Sequence, residues 1–263
     1  MRYIHLIGQF MRASALGELA YRVNFWLSLL HSLLNLGTGV LGMVVLFSQV
    51  NSVRGWGLTQ TLTLLGVYLV VGALQALFIA PSLDALAGME GEIHNGQFDF
   101  TLLRPIDTQF LASFRYWRSL ALIDLALGLG VLAFALARLG QTVTLAHLVT
   151  FVVTLSAGVM VLYAILLAFT ALVFWNPGFF FTWVFNGLFQ LARYPVDLYP
   201  GWLRLVLTWV VPVGIITTVP AQALTGTLTP GLLAAGLVLT LAFLAGASAL
   251  FRVGLRQYAS VSS

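Results

Sequence analysis

The sequence predicts an all-α, polytopic membrane protein, and three observations carry that class. Sixty per cent of the 263 residues are hydrophobic and 8% are charged, too little polar surface to cover a water-soluble globule of this length. The mean hydropathy of +0.99 comes from long uncharged runs rather than short alternating segments, which selects helices over a transmembrane barrel. Eight of the charges fall in one stretch, 81–118.

A span needs about 20 apolar residues to cross ~30 Å of hydrocarbon. Residues 1–22 interleave Arg2, His5, Gln9 and Arg12 with Ile4, Ile7, Phe10 and Met11. That is the pattern of an amphipathic helix in the headgroup layer rather than of a cleaved signal peptide. No formal charge lies between Arg22 and Arg54, so 23–47 is the first span. The turn "SQVNSVRGWG" leads to a second, 58–80, which Pro81 is expected to end. In the charged stretch, 82–94 reads as helix, with Leu83, Leu86 and Met89 or Ile93 on one side, and "NGQ" as a turn, with Pro105 favouring extended backbone at Arg104. Asp107 or Thr108 suits the N-cap of a helix leading into the third span, 119–137.

Arg138 to Arg193 is again free of charge and too long for one helix. Asn176-Pro177-Gly178 divides it into a fourth span, 145–175, and a short fifth, 179–192. After the turn "RYPVDLYPGW", the run 205–228 contains Pro212 and Pro220. These would break a spanning helix twice, which favours a re-entrant helical pair in the outer leaflet. The alternative, a re-entrant 179–192, is the one charge prefers, since it keeps Arg193 and Arg204 inside. The sixth span is 231–251. An even count puts Arg2, Arg12, Arg22, Arg104, Arg115, Arg118, Arg252 and Arg256 on one side. By the positive-inside rule that side is cytoplasmic, with both termini. No repeat or soluble domain interrupts 1–263, which reads as a single membrane domain.

Two missing residue types narrow the function. The chain has no Cys, which removes disulfides, thiolate catalysis and cysteine metal sites. It has no Lys, so it carries neither a Walker A loop nor a Schiff-base lysine. A net charge of +4 is too small and dispersed for nucleic-acid binding and is explained by membrane orientation.

The loop 81–118 is the longest polar segment. An enzymatic reading would use Glu90, Glu92, His94 and Asp99. Metal-dependent lipid phosphotransferases, however, repeat carboxylates on one helical face, whereas Glu90 and Glu92 are two apart and point to different faces. No metal site or catalytic group is expected. The other readings are a plain solvated connection and a short amphipathic docking element gripped by a soluble partner. Within the spans, Asp124 lies six residues, ~9 Å, beyond Arg118, within pairing reach of Arg115 or Arg118. His31, Asn35, Gln75, Asn186 and Gln190 are expected to make interhelical hydrogen bonds. Arg193 is expected to snorkel near the outer mouth, and Trp56, Tyr194, Tyr199 and Trp202 to form an interfacial belt. A stand-alone channel or secondary transporter would call for an ionisable relay or broken helices at midplane, for which Asp124 alone is slender support.

The stretch "GQFDFTLLRP", Gly96 to Pro105, resembles the Gly-x-φ-Asp-φ-x-Leu-φ-Arg/Lys-Pro signature, with φ apolar, of ABC exporter permeases of the second type. It is most similar to a bacterial six-span group without a fused ATPase. A second stretch, "YPVDLYPGWLRLVLTWVVPVGIITTVPAQALTG", Tyr194 to Gly226, resembles that family's Pro-rich extracellular turn and re-entrant pair. The resemblance implies a coupling helix in 81–105 that docks on a separate ATP-binding cassette subunit, with Glu92, Gly96, Asp99, Phe100, Leu103, Arg104 and Pro105 at the contact. It implies a gate region at Tyr194, Pro195, Pro200, Trp202, Pro212 and Pro220. Asp124, Asn186 and Arg193 are the intramembrane polar candidates. The family's arrangement also implies a second permease subunit, identical or homologous, in the bacterial plasma membrane. This chain would need no cofactor, because ATP and Mg would bind the partner. The cargo would be hydrophobic or amphipathic.

Overall fold

The computed structural model describes residues 2–19, 22–140, 143–178 and 182–258. The described chain is almost wholly helical. Helices α1 (Arg2–Leu19) and α2 (Arg22–Gln49) come first, and a two-residue antiparallel ladder, Ser52–Val53 against Trp56–Gly57, turns the chain. The long helix α3 (Leu58–Asp84) follows. Short helices α4 (Asp99–Leu102) and α5 (Thr108–Phe114) lie in the charged stretch. Then come α6 (Ser119–Arg138), α7 (Leu145–Leu172), the short α8 (Thr182–Phe189), the bent pair α9 (Gly201–Val210) and α10 (Gly214–Leu224), and α11 (Pro230–Gln257). Five of these, from 23–49 in α2 through α3, α6, α7 and α11, are long and apolar enough to cross a membrane, or six elements if the bent pair counts as one.

Small residues set the closest contacts. A side chain at Gly66 would meet the Leu132 backbone at 2.9 Å, and one at Gly128 would meet the Val70 amide at 2.9 Å. Thus α3 and α6 touch backbone to backbone, the packing that helices adopt in lipid, where no hydrophobic force drives them together. Gly158 of α7 meets the Ile216 backbone of α10 in the same way. Around these contacts Leu64, Leu65, Val71, Leu162, Leu166 and Phe185 are fully or almost fully buried.

Two ends of the bundle can be told apart from contacts. The proximal end holds 81–118, and there Phe174 packs on Phe98 (5.7 Å between ring centroids) and on Tyr258 (6.0 Å). The distal end holds the 50–57 turn, where Trp56 Nε1 donates to Asp197 at 3.2 Å and Arg54 donates to the Asp197 carbonyl at 2.6 Å. The chain therefore crosses from proximal to distal between Phe174 and Asp197.

That crossing differs from the expected span 179–192. Residues 179–181 lie outside the described residues. Beyond them the helix has eight residues, extended by a tight 3₁₀ turn at Gln190–Arg193. These twelve described residues reach ~20 Å, short of the hydrocarbon thickness. Pro177 and Pro195 bracket too few residues for a full helix, and the described chain at 173–178 and at Tyr194 is non-helical. Such backbone is tolerated at membrane depth where protein surrounds it.

The run expected to be re-entrant, 205–228, holds a bent helical pair, the shape of a broken span or of a re-entrant loop. Its arms meet at 76° beside Pro212. It starts next to the Asp197–Arg204 ion pair (2.7 Å) and ends where Gly226 faces His147, three residues into α7. Both ends are distal.

Two expectations about prolines fail for a common reason. Pro81 does not end the second span, because α3 runs on to Asp84. Pro220 does not break α10, in which it is buried. Each follows a stretch of wider π-helix, Gln75–Ile79 and Gly214–Thr218. One extra residue per turn shifts the hydrogen-bond register and makes room for a residue without an N–H. A third π stretch, Val206–Val210, precedes Pro212, and there the helix does stop, with Val211 at φ −116°, ψ 84°.

Candidate functional site: the proximal segment and an intramembrane cavity

The expected helix 82–94 ends at Asp84. Gly88 (φ +84°) and Gly96 (φ +76°) adopt left-handed backbone, and a side chain at Gly91 would meet the Ala87 carbonyl at 2.5 Å. These glycines turn the chain into successive tight loops that a regular helix would not permit. The Glu92 amide donates to the Ala85 carbonyl, and the Phe98 amide to the Glu92 carbonyl, both at 3.0 Å. Phe98 and Ile93 are buried anchors. Asp107 caps α5 as expected, accepting from the Phe110 amide at 2.8 Å. At Arg104-Pro105-Ile106 the Ile106 amide bonds back to the Arg104 carbonyl at 2.8 Å, closing a narrow turn.

A polar knot holds this segment. Arg115 forms an ion pair with buried Glu92 and donates to Thr101 at 2.9 Å. Tyr116 OH donates to the same Glu92 oxygen at 2.9 Å, and Ser82 bonds both the amide and the carbonyl of Tyr116. Glu92 is therefore turned inward, away from any partner surface. Asp99 accepts from Tyr258 OH at 2.9 Å, tying the segment to the end of α11. Burial, then the Asp99 carboxylate, pushes the Tyr258 hydroxyl up to about 12. From α5, Gln109 donates to Tyr163 (3.2 Å) on α7 and Ser248 (3.1 Å) on α11. The Arg118 amide donates to the Leu77 carbonyl of α3 at 2.9 Å. Helix α1 lies alongside. Ser14 accepts from the Trp117 amide (3.2 Å) and Glu18 from the Leu120 amide (3.0 Å), placing a carboxylate at the N-terminal end of α6, where it is favoured.

What the knot leaves outside is mixed, with Glu90, His94, Gln97 and Asp107 exposed alongside large apolar side chains. Met89, Phe100 and Leu103 are 76%, 68% and 80% exposed, and Arg104 and Pro105 are exposed beside them.

Of the distal candidates, Pro195 precedes a 3₁₀ turn, Val196–Leu198, and Pro200 caps α9. Trp202 is exposed, and the Tyr194 hydroxyl fills the space beside Gly42 of α2. Trp56 is buried rather than part of an interfacial belt.

The intramembrane polar residues converge in a way the sequence did not disclose. A cavity of about 530 Å³ is lined by His31, Asn35, Tyr68, Gln75, Asn186, Gln190 and Arg193, and by Asp84, Arg118 and Asp124. The expected interhelical bonds are present in part: Gln75 donates to Asn186 at 2.9 Å and Arg193 donates to Asn35. Arg193 does not snorkel outward. Its guanidinium lies 5.3 Å over the Tyr68 ring, and its Nε is buried without a hydrogen-bond partner. Asp124 forms no ion pair with Arg115 or Arg118; Glu92 holds Arg115. Arg118 stands just before α6, with non-helical backbone at φ −116°, ψ 88°. The cavity could be foreseen only by phasing four helices against one another, which no local pattern in the chain provides. Among the described residues, no cluster of His and carboxylates forms a metal site.

Long apolar helices, a charged proximal segment and a bent distal pair define a polytopic helical membrane protein. The family model of the ABC-2 family transporter protein matches residues 33–262, nearly the whole chain, and the chain belongs to that family. It is the membrane-embedded permease component of an ABC transporter. None of the curated proteins compared with the chain matches it.

Proposed function

We propose that the chain is the transmembrane subunit of an ATP-driven exporter, and that a separate ATP-binding cassette subunit docks on 81–118. In this reading the proximal end is cytoplasmic, the membrane is the bacterial plasma membrane, and both termini face the cytoplasm. Two permeases, identical or homologous, work as a pair, and the cargo is hydrophobic or amphipathic. ATP and Mg belong to the partner subunit, since this chain has no Lys for a P-loop.

The observation that carries the reading is the contrast within 81–118. Its exposed rim of Met89, Phe100 and Leu103 offers apolar anchors for a groove, while its interior is bonded to four other helices. Closure of a nucleotide-loaded ATPase pair would displace the docked rims. The displacement passes to α7 and α11 through Gln109, to α11 again through Asp99–Tyr258, and to α3 through the Arg118–Leu77 bond. Nucleotide energy then biases which arrangement of the permease pair is populated. Phe100, Leu103, Arg104 and Pro105 make the contact, while Glu92, Gly96 and Asp99 shape the segment that presents it.

The test is retention. Expressed with its neighbouring genes, the chain should hold a P-loop ATPase through detergent purification. Paired Phe100→Asp and Leu103→Asp substitutions should weaken that hold at least about tenfold with an unchanged melting temperature. No ATPase on the unmodified chain would overturn the reading.

A further inference from the structure

The cavity holds charges of both signs that the polar knot does not use. Its Arg and Asp residues are Arg118, Arg193, Asp84 and Asp124, so these cancel. Two of them are separated along the bundle axis. Arg193 sits at the level of Asn35 and Tyr68. Asp124 lies one turn proximal to Gly128, which abuts Leu69 and Val70. A guanidinium at this depth with only neutral partners, and an Nε with none, is costly unless something else supplies the missing charge. Asp124, in the same lining, has no ion pair among the described residues.

The lining between them is made for a polar guest. Gln75, Asn186 and Gln190 supply amides, and Tyr68 and Phe189 supply aromatic faces. The volume of about 530 Å³ is within the range of small-molecule sites, ~300–1,000 Å³. A purely anionic guest would meet Asp124, and a purely cationic one would meet Arg193. An apolar guest would leave the amides and both charges without compensation.

We propose that this cavity binds a zwitterionic group, its anion at Arg193 with Asn35 and its cation proximal at Asp124. Phosphate–ammonium and carboxylate–ammonium pairs share this chemistry, whether on a lipid or on a free solute. The inference deepens the exporter reading by giving the cargo a zwitterionic group, and it rests on that reading only for the word cargo.

The experiment measures binding to the full chain in maltoside micelles by native mass spectrometry, without nucleotide. The probes are dodecylphosphocholine, dodecyl phosphate and dodecyltrimethylammonium, each below its micellar concentration. The unmodified chain should retain one dodecylphosphocholine at least about tenfold more tightly than either singly charged probe. Arg193→Gln should remove the advantage over dodecyltrimethylammonium, and Asp124→Asn the advantage over dodecyl phosphate. Arg204→Gln, at the distal surface, should change neither. Misfolding would weaken all three probes alike and cannot produce these opposite selectivities. Equal loss for all probes, or no preference in the unmodified chain, overturns the proposal. Soluble phosphocholine competing as well as the alkylated probe assigns a free solute, and a requirement for the alkyl chain assigns a lipid-like amphiphile. An ATPase that co-purifies with a chain that binds no probe would sink this inference and leave the exporter reading intact.

Discussion

The proximal knot and the intramembrane cavity both gather charge, and they treat it oppositely. In the knot, Glu92 meets Arg115 and Tyr116, Arg115 also meets Thr101, and little room is left over. In the cavity, Arg193 has only an amide and an aromatic face, and Asp124 lines the same open volume. Closed charges fix a shape, because removing one partner strands the other in low dielectric. Open charges contribute little to the fold and are available to a guest.

That contrast can be broken by substitution, with stability read from melting in detergent. Glu92→Ala should have the largest effect, ~3–5 kcal/mol, because it leaves Arg115 unpaired in a buried site. The double change with Arg115→Ala should cost less than the two single losses added together. Next, Gly128→Leu should cost ~1–3 kcal/mol by forcing α3 and α6 apart, without touching any charge. Tyr258→Phe should cost ~1 kcal/mol, one hydrogen bond, and should loosen the hold of α11 on 81–118, read as faster amide exchange at Asp99–Leu102. Asp124→Asn should not lower the melting temperature, because it removes an intramembrane carboxylate that has no ion pair among the described residues. A loss there as large as that of Glu92→Ala would mean that the cavity charges are structural after all.

Much of the architecture was legible in the sequence, because charge-free runs of helical length admit few other solutions. The first, third, fourth and last long helices lie close to the expected ranges, and Asp107 caps where its side chain suits. The misses have physical causes. Pro81 and Pro220 were read against an α-helical ladder, whereas a π stretch changes the ladder before each arrives. The turns at Gly88 and Gly91 were read through as helix because Leu83, Leu86 and Met89 or Ile93 suggested a face. Glu92 counted as a surface charge because composition cannot reveal that Arg115, 23 residues on, would cover it. Arg193 looked interfacial for the same reason: its depth is set by how α8 leans on α2 and α3, a tertiary fact.

The contacts of α1 also bear on how the chain is assembled. Ser14 and Glu18 bond the amides of Trp117 and Leu120, about a hundred positions later in synthesis. At ~5–20 residues per second, the amphipathic helix waits some 5–20 s before its seat leaves the ribosome. Its polar–apolar faces let it rest on the lipid headgroups in the meantime, so membrane affinity at this helix serves biogenesis before it serves the finished fold.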